Sequence, residues 1–238
     1  MSDRARPESA QLGLPFPHVP RYGAFLPAKS NAAARAWLAQ PQEWPQRRLA
    51  LWGEAGCGKT HLLHLWARAQ PAQRQVLDGP DLPAFSPAAD IAVDRADQVT
   101  KPRALLHLLN SCAEAGCSVV LAGRAAPARW NTGLPDLDSR LRALIAVPIG
   151  PPEDTLLEAL LRQLLAERQL PVPQELQDWL RLRLPRTAEA MRAIAADLDV
   201  ASLQAGRPVT RGLIAKLLPR FADNEDLPAA SPEGHSLL

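Results

Sequence analysis

The octapeptide Gly53-Glu54-Ala55-Gly56-Cys57-Gly58-Lys59-Thr60 has the spacing G-x-x-x-x-G-K-[ST], and its surroundings give that spacing a mechanism. Before it, Arg48 to Trp52 (RLALW) is a short apolar run suited to a strand buried on both faces. After it, Lys59 to Ala69 reads as a helix. A glycine-rich turn between strand and helix lets successive backbone N–H groups point at one spot, and the helix start adds its positive dipole end. Such a turn cradles phosphate. Lys59 is expected to reach the β and γ phosphates of ADP or ATP, and the Thr60 hydroxyl to hold Mg²⁺. With His61, these are the expected nucleotide-binding residues of the loop.

A bound magnesium also calls for a carboxylate at the end of a neighbouring strand. Asp94 closes the run Asp90-Ile91-Ala92-Val93-Asp94 and is the expected ligand, with Asp90 and Asp97 as nearby competitors. The next residue is Arg95, where many such ATPases carry a second carboxylate that orients water. Self-catalysed hydrolysis is therefore expected to be slow or absent.

Outward from the loop, short apolar runs alternate with helical stretches. Strands are expected at Gln75 to Leu77, Ile91 to Val93, Ser118 to Ala122 and Leu144 to Ile149, with a helix at Arg103 to Glu114. Upstream, Asn31 to Gln40 reads as a helix capped near Ser30. The alternation implies an α/β fold, a parallel sheet covered by helices. After Pro151 and Pro152 strand signals stop, and helices are expected at Asp154 to Arg168, Gln174 to Leu182, Thr187 to Gln204 and Thr210 to Leu218. The division is then an extended arm at 1–28, broken by Pro7, Pro15, Pro17, Pro20 and Pro27, a nucleotide-binding domain at 29–150, a small all-helical lid at 151–221, and a disordered tail at 222–238.

Composition narrows the function. Among 238 residues, 27 Lys and Arg face 25 Asp and Glu, a formal charge of +2 that is too small and dispersed to mark a polyanion partner by itself. No apolar run approaches the roughly 18 residues that cross a bilayer, and no secretory signal is legible. Cys57, Cys112 and Cys117 are too few for a disulfide framework, which suggests reduced thiols in the cytoplasm. The six tryptophans are scattered, unlike a platform for single-stranded nucleic acid. His61 and His64 share a helix but lack a third metal ligand nearby in sequence, so packing beside the nucleotide is the simpler expectation.

Gly53 to Leu65, GEAGCGKTHLLHL, resembles the phosphate loop of the bacterial replication initiator DnaA and its relatives, an AAA+ clade. Leu134 to Leu141, LPDLDSRL, is similar to the family segment that bears an arginine finger, which implies that role for Arg140. Its competing reading is a surface arginine paired with Asp136 or Asp138. Ile149 to Leu165 resembles the start of the family's helical lid, and Ala190-Met191-Arg192 resembles the lid motif whose arginine contacts nucleotide, implying Arg192. Where family members place a polar sensor after the fourth strand, this chain has Gly123-Arg124-Ala125; Arg124 senses phosphate or is merely solvated.

Two departures refine the resemblance. Residues 221–238 are too few for the helix-turn-helix domain with which DnaA reads origin DNA. Gln11, Leu12, Leu14, Pro15 and Phe16, within QLGLPF, resemble the peptide by which bacterial proteins dock on the DNA polymerase sliding clamp, although an arm packing on its own domain would use the same residues. The combination implies a regulator whose partners are DnaA and the clamp, which meets DNA only through the clamp, binds no membrane and leaves a homodimer open. Arg140 would enter the DnaA active site in trans. The alternative is a self-contained ATPase resembling helicase loaders, which remodels a partner or single-stranded DNA.

Overall fold

A computed structural model describes residues 25–83, 89–206 and 208–222. Five strands form one parallel sheet: β1 (Arg48–Trp52), β2 (Arg74–Asp78), β3 (Asp90–Asp94), β4 (Val119–Gly123) and β5 (Ile145–Pro148), in the order β2-β3-β4-β1-β5. Leu49 to Leu51 and Val119 to Gly123 are buried throughout. Alternate side chains explain why these strands read as continuous apolar runs. Leu49, Leu51, Val120 and Ala122 face α1 (Ala32–Ala39) and α2 (Lys59–Arg68), whose Ala34, Leu38, Leu63 and Trp66 complete one core. Ala50, Ile91, Val119 and Leu121 face α3 (Pro102–Ala115) and α4 (Pro135–Arg142) and form the second.

A third core is helical. In α5 (Asp154–Glu167), α6 (Gln174–Arg181), α7 (Ala188–Ala205), α8 (Arg211–Leu217) and α9 (Pro219–Ala222), apolar residues at helical spacing, such as Leu157, Leu161 and Leu165, converge with Leu180, Met191, Leu198 and Phe221. The strands and helices sit where the sequence pattern puts them, to within a residue or two at their ends. Two additions are α4, whose PDLDSRLR is polar except for buried Leu137 and Leu141, and the short α9.

The helix cap near Ser30 is a correction. A 3-10 turn over Lys29–Asn31 precedes α1, and neither Ser30 nor Asn31 caps that helix through its side chain. Ser30 is recruited elsewhere: its hydroxyl and amide donate to the Glu153 carboxylate at 2.9 and 2.7 Å, and its carbonyl accepts from Gly150 at 3.0 Å. Asn31, almost fully buried, instead ties the preceding stretch, donating to the Leu26 carbonyl and accepting from the Ala28 amide. Phe25 packs on the core that holds Leu62 and Trp66, so the end of the proposed arm is anchored. Of the expected tail at 222–238, Ala222 ends α9, while residues 223–238 and the clamp-like residues Gln11, Leu12, Leu14, Pro15 and Phe16 lie outside the described residues.

Candidate nucleotide-binding site

The glycine loop leaves the sheet at its carboxyl edge, between β4 and β5. Gly53 donates to the Gly123 carbonyl at 3.2 Å, and Ile149 donates to the Trp52 carbonyl at 2.7 Å. A Cβ on Gly53 would collide with the Ile149 carbonyl oxygen. Gly56 (φ +77°) and Gly58 (φ +102°) adopt the left-handed region that other residues rarely occupy, and Gly58 is the residue from which α2 starts. These turns bring loop amides to the helix start, the arrangement that suits an anion.

Lys59 and Thr60 occupy the first turn of α2. The Lys59 ammonium donates to the Gly53 and Glu54 carbonyls at 2.6 and 2.8 Å and lies 3.5 Å from the Cys57 sulfur. Glu54 and Ala55 form the exposed outer part of the loop. The Thr60 hydroxyl donates to Asp94 Oδ2 at 2.6 Å. Asp94 therefore stands beside Thr60, whereas the two competitors have other partners: Asp90 accepts from the Ser118 amide, and Asp97 accepts from the Arg124 amide at 2.8 Å. Hydroxyl and carboxylate at hydrogen-bond distance are a donor set suited to Mg²⁺, which takes few protein ligands and completes its shell with phosphate and water. Among the described residues no group of three His, Cys, Asp or Glu could hold a metal by itself.

Arg95 follows Asp94 in the left-handed region (φ 52°). Its guanidinium forks onto Asp78 at the end of β2, with Nε 2.8 Å from Oδ1 and a second bond from Nη2 to Oδ2. That hydrogen bond, with the charges of Asp78, Asp94 and Asp81, raises the Arg95 pKa above its ordinary value, burial acting against it. Gly79 makes the approach of β2 to β3 feasible: its amide donates to the Asp94 carbonyl at 2.7 Å, and a Cβ there would strike the Arg95 carbonyl.

Two elements distant in sequence close over the loop. The Phe25 ring lies 3.3 Å from where a Gly58 Cβ would be and meets His61 edge-on, with centroids 5.1 Å apart. On the other side, Thr187 and Glu189 reach within 4 Å of the corresponding point at Gly56. Thr187 caps α7, accepting from the Ala190 amide at 3.1 Å, and Arg192 follows on that helix with an exposed side chain. His64 is shifted below its ordinary pKa by burial, against the opposing charge of Asp94. Glu153 is lowered first by its own backbone amide and also by the Ser30 bonds. The sequence pattern does not single out Phe25, Asp78, Gly79, Thr187 or Glu153 for the site; the Gly79-Pro80 break after an apolar run is the one local signal.

Arg140 sits elsewhere. It is near the end of α4, and β5, which begins at Ile145, runs parallel to β1 with Leu49 opposite Ile145. Arg140 is therefore at the amino edge of the sheet, close enough to Arg48 for its charge, after burial, to lower the Arg48 pKa. Its Nε donates to Asp136 Oδ1 at 3.0 Å one turn back, with 34% of the side chain exposed. Asp138 instead accepts from Thr132.

No protein-family profile matches the chain. Solved structures do. Domain III of the Thermotoga maritima replication initiation protein DnaA aligns with a TM-score of 0.71 at 18% identity, covering 83% of this chain and 94% of that one. The chain has the DnaA domain III fold. AMPPCP-bound DnaA from Aquifex aeolicus aligns at 0.61 and 16% identity over 76% of this chain and 65% of that one, so the chain spans about two thirds of that protein. A point mutant of Thermotoga maritima RuvB aligns at 0.60 and 15% identity over 82% of this chain and 69% of its own. DnaA domain III and RuvB thus share with this chain one fold, a five-stranded parallel sheet with helices. Among the described residues no helix is long and apolar enough to cross a membrane.

Proposed function

We propose that this chain binds ADP or ATP with Mg²⁺ in the glycine loop and serves as a DnaA-related regulator of replication initiation, similar to Hda. Gly53 to His61 and Arg192 contact the nucleotide, Lys59 neutralises its β and γ oxygens, and Thr60 with Asp94 holds the magnesium. When bound, the metal supplies charge neutralisation for the phosphates. Residues 11–16 dock on the sliding clamp, and Arg140 completes the active site of a DnaA bound alongside. The cytoplasm is the compartment where these partners meet.

The observation that carries this reading is the asymmetry of Arg95 and Arg140. The position that would orient an attacking water is a cation forked onto Asp78, so the chain's own site lacks a base there. A guanidinium on the developing γ-phosphate charge of a neighbour can raise hydrolysis by about 10³ to 10⁵. The chain thus retains a binding site and offers a catalytic group at its opposite edge. Purified protein tests this. The regulator turns over little ATP alone, stimulates DnaA hydrolysis in the presence of clamp and DNA, and loses clamp capture when Leu14 and Phe16 become alanine. Robust turnover by the isolated chain, abolished by Lys59→Ala, supports the self-contained ATPase instead.

A further inference from the structure

Arg181, Arg183 and Arg186 follow Trp179 within seven residues, and the fold brings Arg211 of α8 to the same ring. Arg183 lies over the Trp179 ring, its guanidinium carbon 4.2 Å from the centroid, and donates to the Trp179 carbonyl at 3.0 Å. Arg211, from the first turn of α8, lies over the same ring at 4.9 Å. Among the described residues neither makes a salt bridge to a carboxylate, and both are exposed. Arg181 and Arg186 converge on a single Asp154, at 3.7 and 2.9 Å. Two of the four guanidiniums therefore share one carboxylate, and among the described residues the other two pair with none.

Stacking on an indole holds a guanidinium in place without consuming its N–H donors. Orientation is then fixed before a ligand arrives, so little side-chain entropy remains to be lost. The ring, engaged by two cations, is not a free stacking surface for unpaired bases. Rigid forks that keep most of their donors unused match phosphate oxygens, and several such groups together suit a backbone rather than one small anion.

We infer that the Trp179, Arg183 and Arg211 cluster, with Arg181 and Arg186 at its margin, is a docking surface for the sugar-phosphate backbone of duplex DNA. The contact is direct and independent of any clamp, and it does not depend on the regulatory reading above. It carries no base-edge recognition, so binding is insensitive to sequence and steep in salt.

Fluorescence anisotropy of the full chain with a labelled duplex of about 20 base pairs, titrated between about 0.05 and 0.2 M salt, reads this surface. Each phosphate contact adds about 0.9 to the slope of log K against log salt, a factor of about eight at 0.1 M. Arg183→Ala with Arg211→Ala is expected to flatten the slope by about 1.8 and weaken binding about sixtyfold. Arg183→Lys with Arg211→Lys keeps the charges and should retain most of the slope. Circular dichroism melts and nucleotide affinity show that each variant is folded. Unchanged duplex binding in the folded alanine variant, or none by the wild type, overturns the assignment. So does competition by poly-glutamate as effective as by duplex, which would make the partner an acidic protein, or a preference for single strands.

Discussion

Replacing Arg140 by alanine separates two roles that the geometry allows the same side chain. Its visible contact is an exposed pair with Asp136 across one helical turn, at 3.0 Å, with 34% and 60% of the two side chains accessible. Pairs of that kind contribute about 0.3–0.5 kcal/mol. For a protein of this size that is a fall of about 1–2 °C in melting temperature. The proposed role is far larger: a loss of 10³ to 10⁵ in DnaA-dependent hydrolysis corresponds to about 4–7 kcal/mol at the transition state. The assay is phosphate release from DnaA-bound ATP with clamp and DNA, set beside a thermal melt and an ADP titration of the same variant. Arg140→Lys should recover little, because a point ammonium lacks the planar fork. Asp136→Ala, which removes only the surface partner, should leave stimulation intact. Wild-type stimulation by Arg140→Ala would refute the reasoning, and a melting loss above about 5 °C would show that the side chain supports the fold instead.

Lys59→Ala should abolish nucleotide-dependent stabilisation: at about 100 times Kd, binding adds about 2.7 kcal/mol, or about 5–10 °C in the wild type, and an equal shift in the variant would move the site elsewhere. Arg95→Glu combined with Asp78→Asn places a carboxylate after Asp94 without a facing anion, and intrinsic phosphate release should rise about 10²-fold or more, whereas an unchanged rate would assign the slow turnover to another cause. Glu153→Gln tests the tie to Ser30. The folded pKa of Glu153 lies below its ordinary value, so the carboxylate stabilises fully above about pH 4.5 and loses that contribution as pH falls through the folded value. Melting curves of wild type and variant should therefore differ near neutrality and converge in acid, and parallel curves would remove Glu153 from the account.

Local signals made most of the fold legible. Leu49 to Leu51 and Val119 to Ala122 are apolar at every position because the sheet has a core on each face, and that pattern needs no knowledge of distant residues. The glycine loop is equally local: its left-handed turns, its strand and its helix lie within about two dozen residues. What escaped is long-range or weakly patterned. Helix α4 buries only Leu137 and Leu141, too little periodicity to stand out from its charged residues. The bonds from Ser30 to Glu153 span 123 positions, and Ser30 abandons the cap its composition suggests because that carboxylate offers two acceptors. In the sequence Arg95 is a mere absence of catalytic acid; its engagement by Asp78 exists only because β2 lies beside β3. Around Trp179, Arg181, Arg183 and Arg186 are close in sequence, but Arg211 comes from α8, 25 residues beyond Arg186, and joins them only in the fold.

Strand direction finally constrains how Arg140 can act. All five strands run the same way, so the loop after Trp52 lies at the carboxyl edge, while Arg140, shortly before β5, lies at the amino edge. Five residues of β1 separate those edges by about 16 Å at 3.3 Å per residue. A single arginine side chain does not bridge that distance from a helix packed on the sheet. Hydrolysis assisted by Arg140 in its own site would require α4 to leave the core that Leu137 and Leu141 help to fill, both of them almost completely buried. Losing even one such leucine contact set costs about 2–5 kcal/mol. At the amino edge the side chain is 34% exposed and pairs with Asp136 on the surface, so contact with a second molecule does not require α4 to unpack. If Arg140 contributes to catalysis, parallel topology and the α4 anchors therefore favour a neighbour's phosphate over its own.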